Sequence, residues 1–194
     1  MKKLLATSNK EENEILRKIS TEVTSEEIKL KKYNKTIFEM LDYIQKQPDG
    51  AALAAPQIGV LKRFFIINPL ILKKEDQPLP SKEECIFINP QIIQKSKEKI
   101  DSEEGCFSVR WYYGELKRYK KVTITYQDLE GRKKRRGASG FLAIVFQHEI
   151  DHLDGIVYID KAKNIEKMTD EEIAEIKEKQ KKLEERLKKQ ENSI

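Results

Sequence analysis

Apolar residues recur at helical spacing through Leu30, Tyr33, Ile37, Leu41 and Ile44, leaving the opposite face of this stretch polar. Thr24 followed by Glu27 is the pairing that satisfies free N–H groups where a helix starts, and Pro48-Asp49-Gly50 prevents it from continuing. The spacing predicts one helix between these signals. Runs rich in β-branched and aromatic residues predict strands at Phe64-Phe65-Ile66-Ile67, at Cys85 to Ile88 before the turn Asn89-Pro90, and at Val122 to Tyr126. The last of these turns through Asp128-Leu129-Glu130-Gly131 into a hairpin. Residues 73–81, rich in charge and proline, read as a solvated loop. Phe141 to Phe146 is apolar on every side, as in a buried helix. From Thr169 the character changes: Glu172 completes a second helix-start signal, and Ile173, Ile176, Leu183 and Leu187 leave only a thin apolar stripe among Glu, Lys and Arg.

These elements add up to an α+β fold: small mixed or antiparallel β-sheets around a central helix, with an N-terminal helix and a charged C-terminal helix. Residues 1–164 form the expected catalytic domain, and 165–194 a helical extension. A chain of 194 residues is long enough for one substantial core, and 38% hydrophobic against 37% charged residues puts that core under a heavily charged surface. No apolar run reaches the length of a membrane span, and Met1 to Thr7 is too short in its apolar part for a secretory signal, so the expected compartment is the cytoplasm, with no membrane partner. Two cysteines argue against a disulfide framework. Net charge is +5, and Arg132-Lys133-Lys134-Arg135-Arg136 reads as a solvated edge strand whose charges oppose aggregation. General attraction to RNA phosphates is the most this run offers; nothing matches a sequence-reading nucleic-acid motif.

Both histidines of the chain lie in Gln147-His148-Glu149-Ile150-Asp151-His152. At i and i+4 on a helix they share a face, where they could grip one metal ion with Glu149 beside its water. On a buried helix such groups are costly unless paired or ligated, which favours the metal over satisfied core histidines. Catalytic sites of this kind usually have a third protein ligand and an open position. Tyr158 stands where one protease pattern would place a third His. Two sources remain: a downstream carboxylate (Glu166, Glu171 or Glu172), which would make a zinc peptidase, or the thiolate of Cys106. Asp151 and Glu104 are each open to holding a ligand imidazole from behind or to lying in solvent.

Three segments taken together, Gly50-Ala51-Ala52-Leu53-Ala54-Ala55-Pro56-Gln57-Ile58-Gly59, Glu104-Gly105-Cys106-Phe107-Ser108 and Gln147 to Leu153, resemble the signature motifs of the peptide deformylases, in the same order. The similarity runs from about Asn13 to Asp160. It implies removal of the formyl group from formylmethionine on nascent polypeptides, with Cys106, His148 and His152 holding one divalent metal. Iron(II) is expected from the family; zinc(II), nickel(II) and cobalt(II) suit the same ligands. By the same resemblance Glu149 is general base and acid, while Gln57 and the Phe107 N–H stabilise the developing oxyanion. Gly50 and Ala52 would line the substrate path, and Phe141, Ile144 and Val145 would form an apolar pocket for the methionine side chain. Ala52, Phe107 and Arg110 depart from the family's usual Gly, Leu and Pro. Ribosome contact through the basic segments or the C-terminal helix is a further expectation, and a catalytically inactive ribosome-bound relative is the rival from another class.

Overall fold

The first helix, α1 (Lys10–Leu16), is fixed by Asn9, whose side chain accepts from the Glu12 N–H. Its apolar face buries only Leu16, too little to register as a periodic pattern in the sequence. The computed structural model describes residues 3–73 and 75–191, with side chains through 187. The single helix expected from Thr24 onward is two, α2 (Ser25–Lys29) and α3 (Asn34–Ile44). The capping box of Thr24 and Glu27 forms as expected. The break comes at Lys31, which takes a left-handed conformation at φ 53°. There the Lys32 N–H reaches the Glu27 carbonyl and the Lys31 N–H the Ile28 carbonyl, the paired bonds that close a helix end.

Strands β1 (Ala52–Ala54) and β2 (Phe64–Ile67), the short helix α4 (Pro69–Leu72) and strand β3 (Ile86–Lys95) follow. Cys85 ends a 3-10 turn before β3, and Asn89-Pro90 lies within the strand. Pairing shifts register between Ile88 and Gln91, so the proline occupies a bulge, where no ladder bond is required of it. Strands β4 (Lys99–Gly105), β5 (Tyr112–Tyr119), β6 (Lys121–Gln127) and β7 (Lys133–Ser139) lead into helix α5 (Gly140–Leu153), then strand β8 (Lys163–Lys167) and helix α6 (Asp170–Glu191). One sheet has the order β1-β2-β3-β6-β7 and the other β4-β5-β8, and all these pairings are antiparallel. The basic run is the edge strand β7, as its charge pattern suggests. The expected boundary at 164/165 falls inside β8, whose Glu166 and Lys167 pair with Tyr113 and Tyr112. The expected loop 73–81 is free of helix and strand over its described residues; residue 74 lies outside them, as do 192–194 of the charged tail and the first two residues.

Helix α5 lies on the five-stranded sheet through Phe146, which meets Phe87 edge-on at 5.2 Å while Phe87 stacks on Phe65 at 4.9 Å. Burying aromatic rings in this way contributes more than area alone. The end of α5 is held by the N-terminal region: the Ser20 N–H donates to the Leu153 carbonyl, and Gly155 packs so close to the backbone of Arg17 that a Cβ there would lie 2.4 Å from the Arg17 carbonyl oxygen. Upstream, the Leu5 N–H donates to the Gln57 carbonyl and the Thr7 N–H to the Ser108 carbonyl, each at 2.8 Å. The first described residues thus strap together two turns that reappear below. Among the described residues no helix is long and apolar enough to cross a membrane.

Candidate metal centre and active cleft

Cys106 enters from the turn after β4, and both histidines from α5. One ligand atom from each of Cys106, His148 and His152 lies within 4.8 Å of the others, and among the described residues this is the sole such group. The Cys106 Sγ is 3.2 Å from His152 Nε2 and accepts from Gln57 Nε2 at 3.3 Å and from the Ser108 N–H at 3.4 Å. Burial by itself would raise the Cys106 thiol, but the facing His152 and His148 pull it well below its ordinary value, which favours the thiolate. The downstream carboxylates lie outside the cluster: Glu166 accepts from the Tyr113 hydroxyl, and Glu172 caps α6.

Behind His148 stands Glu104, whose Oε2 lies 2.8 Å from Nδ1, leaving Nε2 for ligation. Glu104 in turn is gripped by Arg118, Nε to Oε1 at 2.8 Å and Nη2 to Oε2 at 2.9 Å, with the Ser102 hydroxyl donating at 3.0 Å. Side chains of both partners are at most 5% exposed. Burial pushes the Glu104 carboxyl up, yet Arg118 and His148 bring it down to about 2. Asp151 does not touch an imidazole; it accepts from Arg118 and Lys161. Arg118 is the member of the site that sequence reasoning misses. Its signal is faint: Gly114, Leu116 and Arg118 alternate on the inward face of β5, so an Arg there demands a buried anion.

Glu149 is 4% exposed, and its Oε2 has no hydrogen-bond partner among the described residues; nor has His152 Nδ1. An orphaned carboxylate oxygen is costly in a core but suits a group that handles protons. Gln57 is oriented by the Ala54 N–H, which donates to its Oε1 at 2.8 Å and so aims the amide N–H groups at Cys106. Phe107 opens a 3-10 turn, where its N–H has no partner within the turn.

A cavity of about 440 Å³ opens onto this cluster, lined by Ala51, Ala52, Gln57, Cys106, Phe107, His148 and Glu149. Phe141, Ile144 and Val145 line it too, Phe141 at the mouth with 57% exposure. Gly50 does not line it: it packs on α3, where a Cβ would lie 2.7 Å from Ile44 Cδ1 and 2.9 Å from Gln47 Cβ, so close packing explains this glycine. Asp49, Arg110, Trp111, Tyr112 and Met168, given no site role from sequence, line it as well, as does β4 from Asp101 to Gly105. Arg110 is bonded to Asp49 at 2.8 Å and lies over the rings of Phe107 at 4.7 Å and Trp111 at 4.4 Å. The three ligand atoms, the anionic thiolate and the buried free oxygen of Glu149 fit a metal centre with an open position.

Comparison with known proteins agrees with this geometry. A family profile described as polypeptide deformylase matches residues 2–168. Peptide deformylase 2 of Clostridium acetobutylicum is 41% identical over 159 residues, 77% of this chain and 89% of that protein. The peptide deformylase of Helicobacter pylori strain G27 is 38% identical over 170 residues, 87% of this chain and 93% of its own length. The crystal structure of peptide deformylase from Thermotoga maritima superposes with a TM-score of 0.68 at 32% identity, covering 84% of this chain and 98% of that one. A match of that extent settles the family: this chain belongs to the peptide deformylases, hydrolases that remove the formyl group from nascent polypeptides.

Proposed function

We propose that Cys106, His148 and His152 hold one divalent cation with which this chain hydrolyses the formamide at the start of nascent polypeptides, giving formate and a free methionine amine. The observation that carries the reading is the meeting of three ligand atoms within 4.8 Å beside the unpartnered Glu149 oxygen. A thiolate with two imidazoles suits iron(II), cobalt(II), nickel(II) or zinc(II). Iron(II), which the family resemblance implies, is our choice. Bound there, the ion supplies Lewis acidity and lowers the pKa of water from 15.7 towards ~7.

The protein supplies the rest. Burial pushes the Glu149 carboxyl up to about 7, against the pull of His148 and His152. A group poised there takes a proton from the attacking water and returns it to the departing methionine nitrogen. The formyl oxygen gains negative charge as its carbon becomes tetrahedral. Gln57 Nε2 and the Phe107 N–H are the donors aimed at it, each worth ~3 kcal/mol of barrier. Ile144, Val145 and Phe141 offer an apolar wall to the flexible methionine side chain, and Ala52 sets the width of the passage beside it. Nascent chains arise in the cytoplasm, which is the compartment we assign, and contact with the ribosome through α6 is a proposal that rests on the substrate's origin.

The test is release of free amine from formyl-Met-Ala-Ser by protein purified anaerobically with iron(II). Turnover that disappears in Glu149→Ala supports the reading. Metal-loaded protein with no turnover overturns it.

A further inference from the structure

Helix α5 is the wall between two cavities. Its Phe141, Ile144, Val145, His148 and Glu149 face the reaction cleft; Gln147, Ile150 and Asp151, with Asp154 just past its end, face a second cavity of about 500 Å³ behind it. The two differ in sign. Around the cleft, Asp49, Asp101, Glu103, Glu104 and Glu149 outnumber Arg110, the one Lys or Arg among its described lining residues. Around the rear cavity Lys95, Lys99, Lys117 and Lys161 surround Arg118, and the only carboxylates are Asp151 and Asp154. Those carboxylates are already engaged. Asp154 accepts from Arg63 at 2.6 Å, and Asp151 takes both Arg118 and Lys161. Lys117 pairs with Asp101 in an exposed, solvent-screened bridge that is readily exchanged.

Lys95 and Lys99 have no acidic partner among the described residues. Their ammonium groups lie instead over one ring, that of Tyr119, at 4.7 and 4.9 Å. Two like charges held near one aromatic ring, neither with a carboxylate, repel each other, and an anion bound beside them would relieve the repulsion. The floor beneath them is rigid: Gln147 exchanges two hydrogen bonds with the Tyr119 backbone at 2.9 Å, and Arg118 is buried and fixed by Glu104 and Asp151. The positive surface also continues outward. Gln94, on the cavity wall, accepts from Arg135 of the basic edge strand β7 at 2.8 Å, and Lys133 stands two residues away on the same face of that strand.

We propose that the rear cavity binds phosphate groups of an RNA strand, whose chain then runs on along β7. A free phosphate compound would need only the cavity; the continuity of cationic side chains over β7 favours a chain of phosphates. Because the cleft and the rear cavity lie on opposite faces of α5, a polyanion held behind leaves the acidic mouth open.

The test is fluorescence anisotropy of a labelled single-stranded RNA with metal-loaded protein, between about 50 and 200 mM salt. Lys95→Gln/Lys99→Gln is expected to weaken binding about tenfold or more and to flatten the log–log salt dependence by about 0.7 for each phosphate that is no longer neutralised. Arg135→Gln is expected to weaken it as well, whereas Lys95→Arg/Lys99→Arg retains it. Turnover of formyl-Met-Ala-Ser, read in parallel, reports that the variants are folded; if the double variant lacks it, the two single Gln variants are read instead. RNA binding unchanged in folded Lys95→Gln/Lys99→Gln protein overturns the proposal. Inorganic tripolyphosphate that competes fully while Arg135→Gln binds RNA like wild type overturns the choice of a chain over a small phosphate compound.

Discussion

Replacing Arg118 by Met tests the support of the metal centre from behind. The substitution keeps length and removes three charge-assisted hydrogen bonds, two to Glu104 at 2.8 and 2.9 Å and one to Asp151 at 2.5 Å. The Arg118 and Glu104 side chains are 5% and 4% exposed, so Glu104 is left as a buried carboxylate with too few donors. Breaking a buried pair from one side costs ~3–5 kcal/mol. The same direction shows in the Glu104 carboxyl, which Arg118 and His148 together hold at about 2 against the upward push of burial. For a chain of this size each kcal/mol moves the melting temperature by ~2–4 °C, so Arg118→Met melts ~10 °C lower by circular dichroism. His148 loses its fixed partner in the same step, and competition with a chelator reads a metal affinity ~10- to 100-fold weaker. Adding Glu104→Gln removes the stranded charge and restores most of the stability. It restores metal affinity only in part, because a neutral amide oxygen holds an imidazole N–H less strongly than a carboxylate does. Arg118→Met protein that melts within ~2 °C of wild type with unchanged metal affinity refutes the reasoning.

Three further outcomes follow from the same geometry. The folded pKa of Glu104 lies below its unfolded value, so its stabilisation is complete above pH 4.5 and fades as pH falls towards about 2; in denaturant titrations of chelator-treated protein, Glu104→Gln loses less stability than wild type across that window. Glu149→Gln keeps metal content, measured by elemental analysis, while kcat for formyl-Met-Ala-Ser falls ~10²–10⁴-fold; a variant with wild-type kcat removes Glu149 from proton transfer. Cys106→Ala lowers metal affinity by more than the ~10- to 100-fold that loss of an outer partner costs; unchanged affinity would return the third ligand to a downstream carboxylate.

What the sequence discloses about the site is what depends on local spacing. His148 and His152 share a helical face whatever surrounds them, and Gln57 and Cys106 sit in short runs whose order can be matched to a family. The hairpin at Asp128 to Gly131 and the strand at Phe64 to Ile67 are legible for the same reason. Features created by long-range pairing are not. Glu104 and Arg118 are 14 residues apart, and only the antiparallel pairing of β4 with β5 puts them on one face. Lys31 carries no glycine to announce a helix end, so the periodic Leu30 and Tyr33 read straight through it, although Leu30 is 69% exposed. Pro90 looks like the end of a strand because a bulge is a property of two strands, not one. Gly50 looks like part of the cleft because its neighbours are.

The N-terminal strap carries a consequence for the order of folding. Thr7 reaches Ser108 across 101 residues, and Leu5 reaches Gln57, so the two turns that carry Gln57 and Cys106 are joined by a segment distant from both in sequence. Closing so long a loop adds little to the entropic cost, since each doubling of length costs only ~0.6 kcal/mol, but it makes the contact a slow one to find. Helices and hairpins assemble from near neighbours before that search ends. The geometry of the cleft therefore hangs on contacts between sequence-distant segments, whereas the helices and hairpins around it draw on near neighbours.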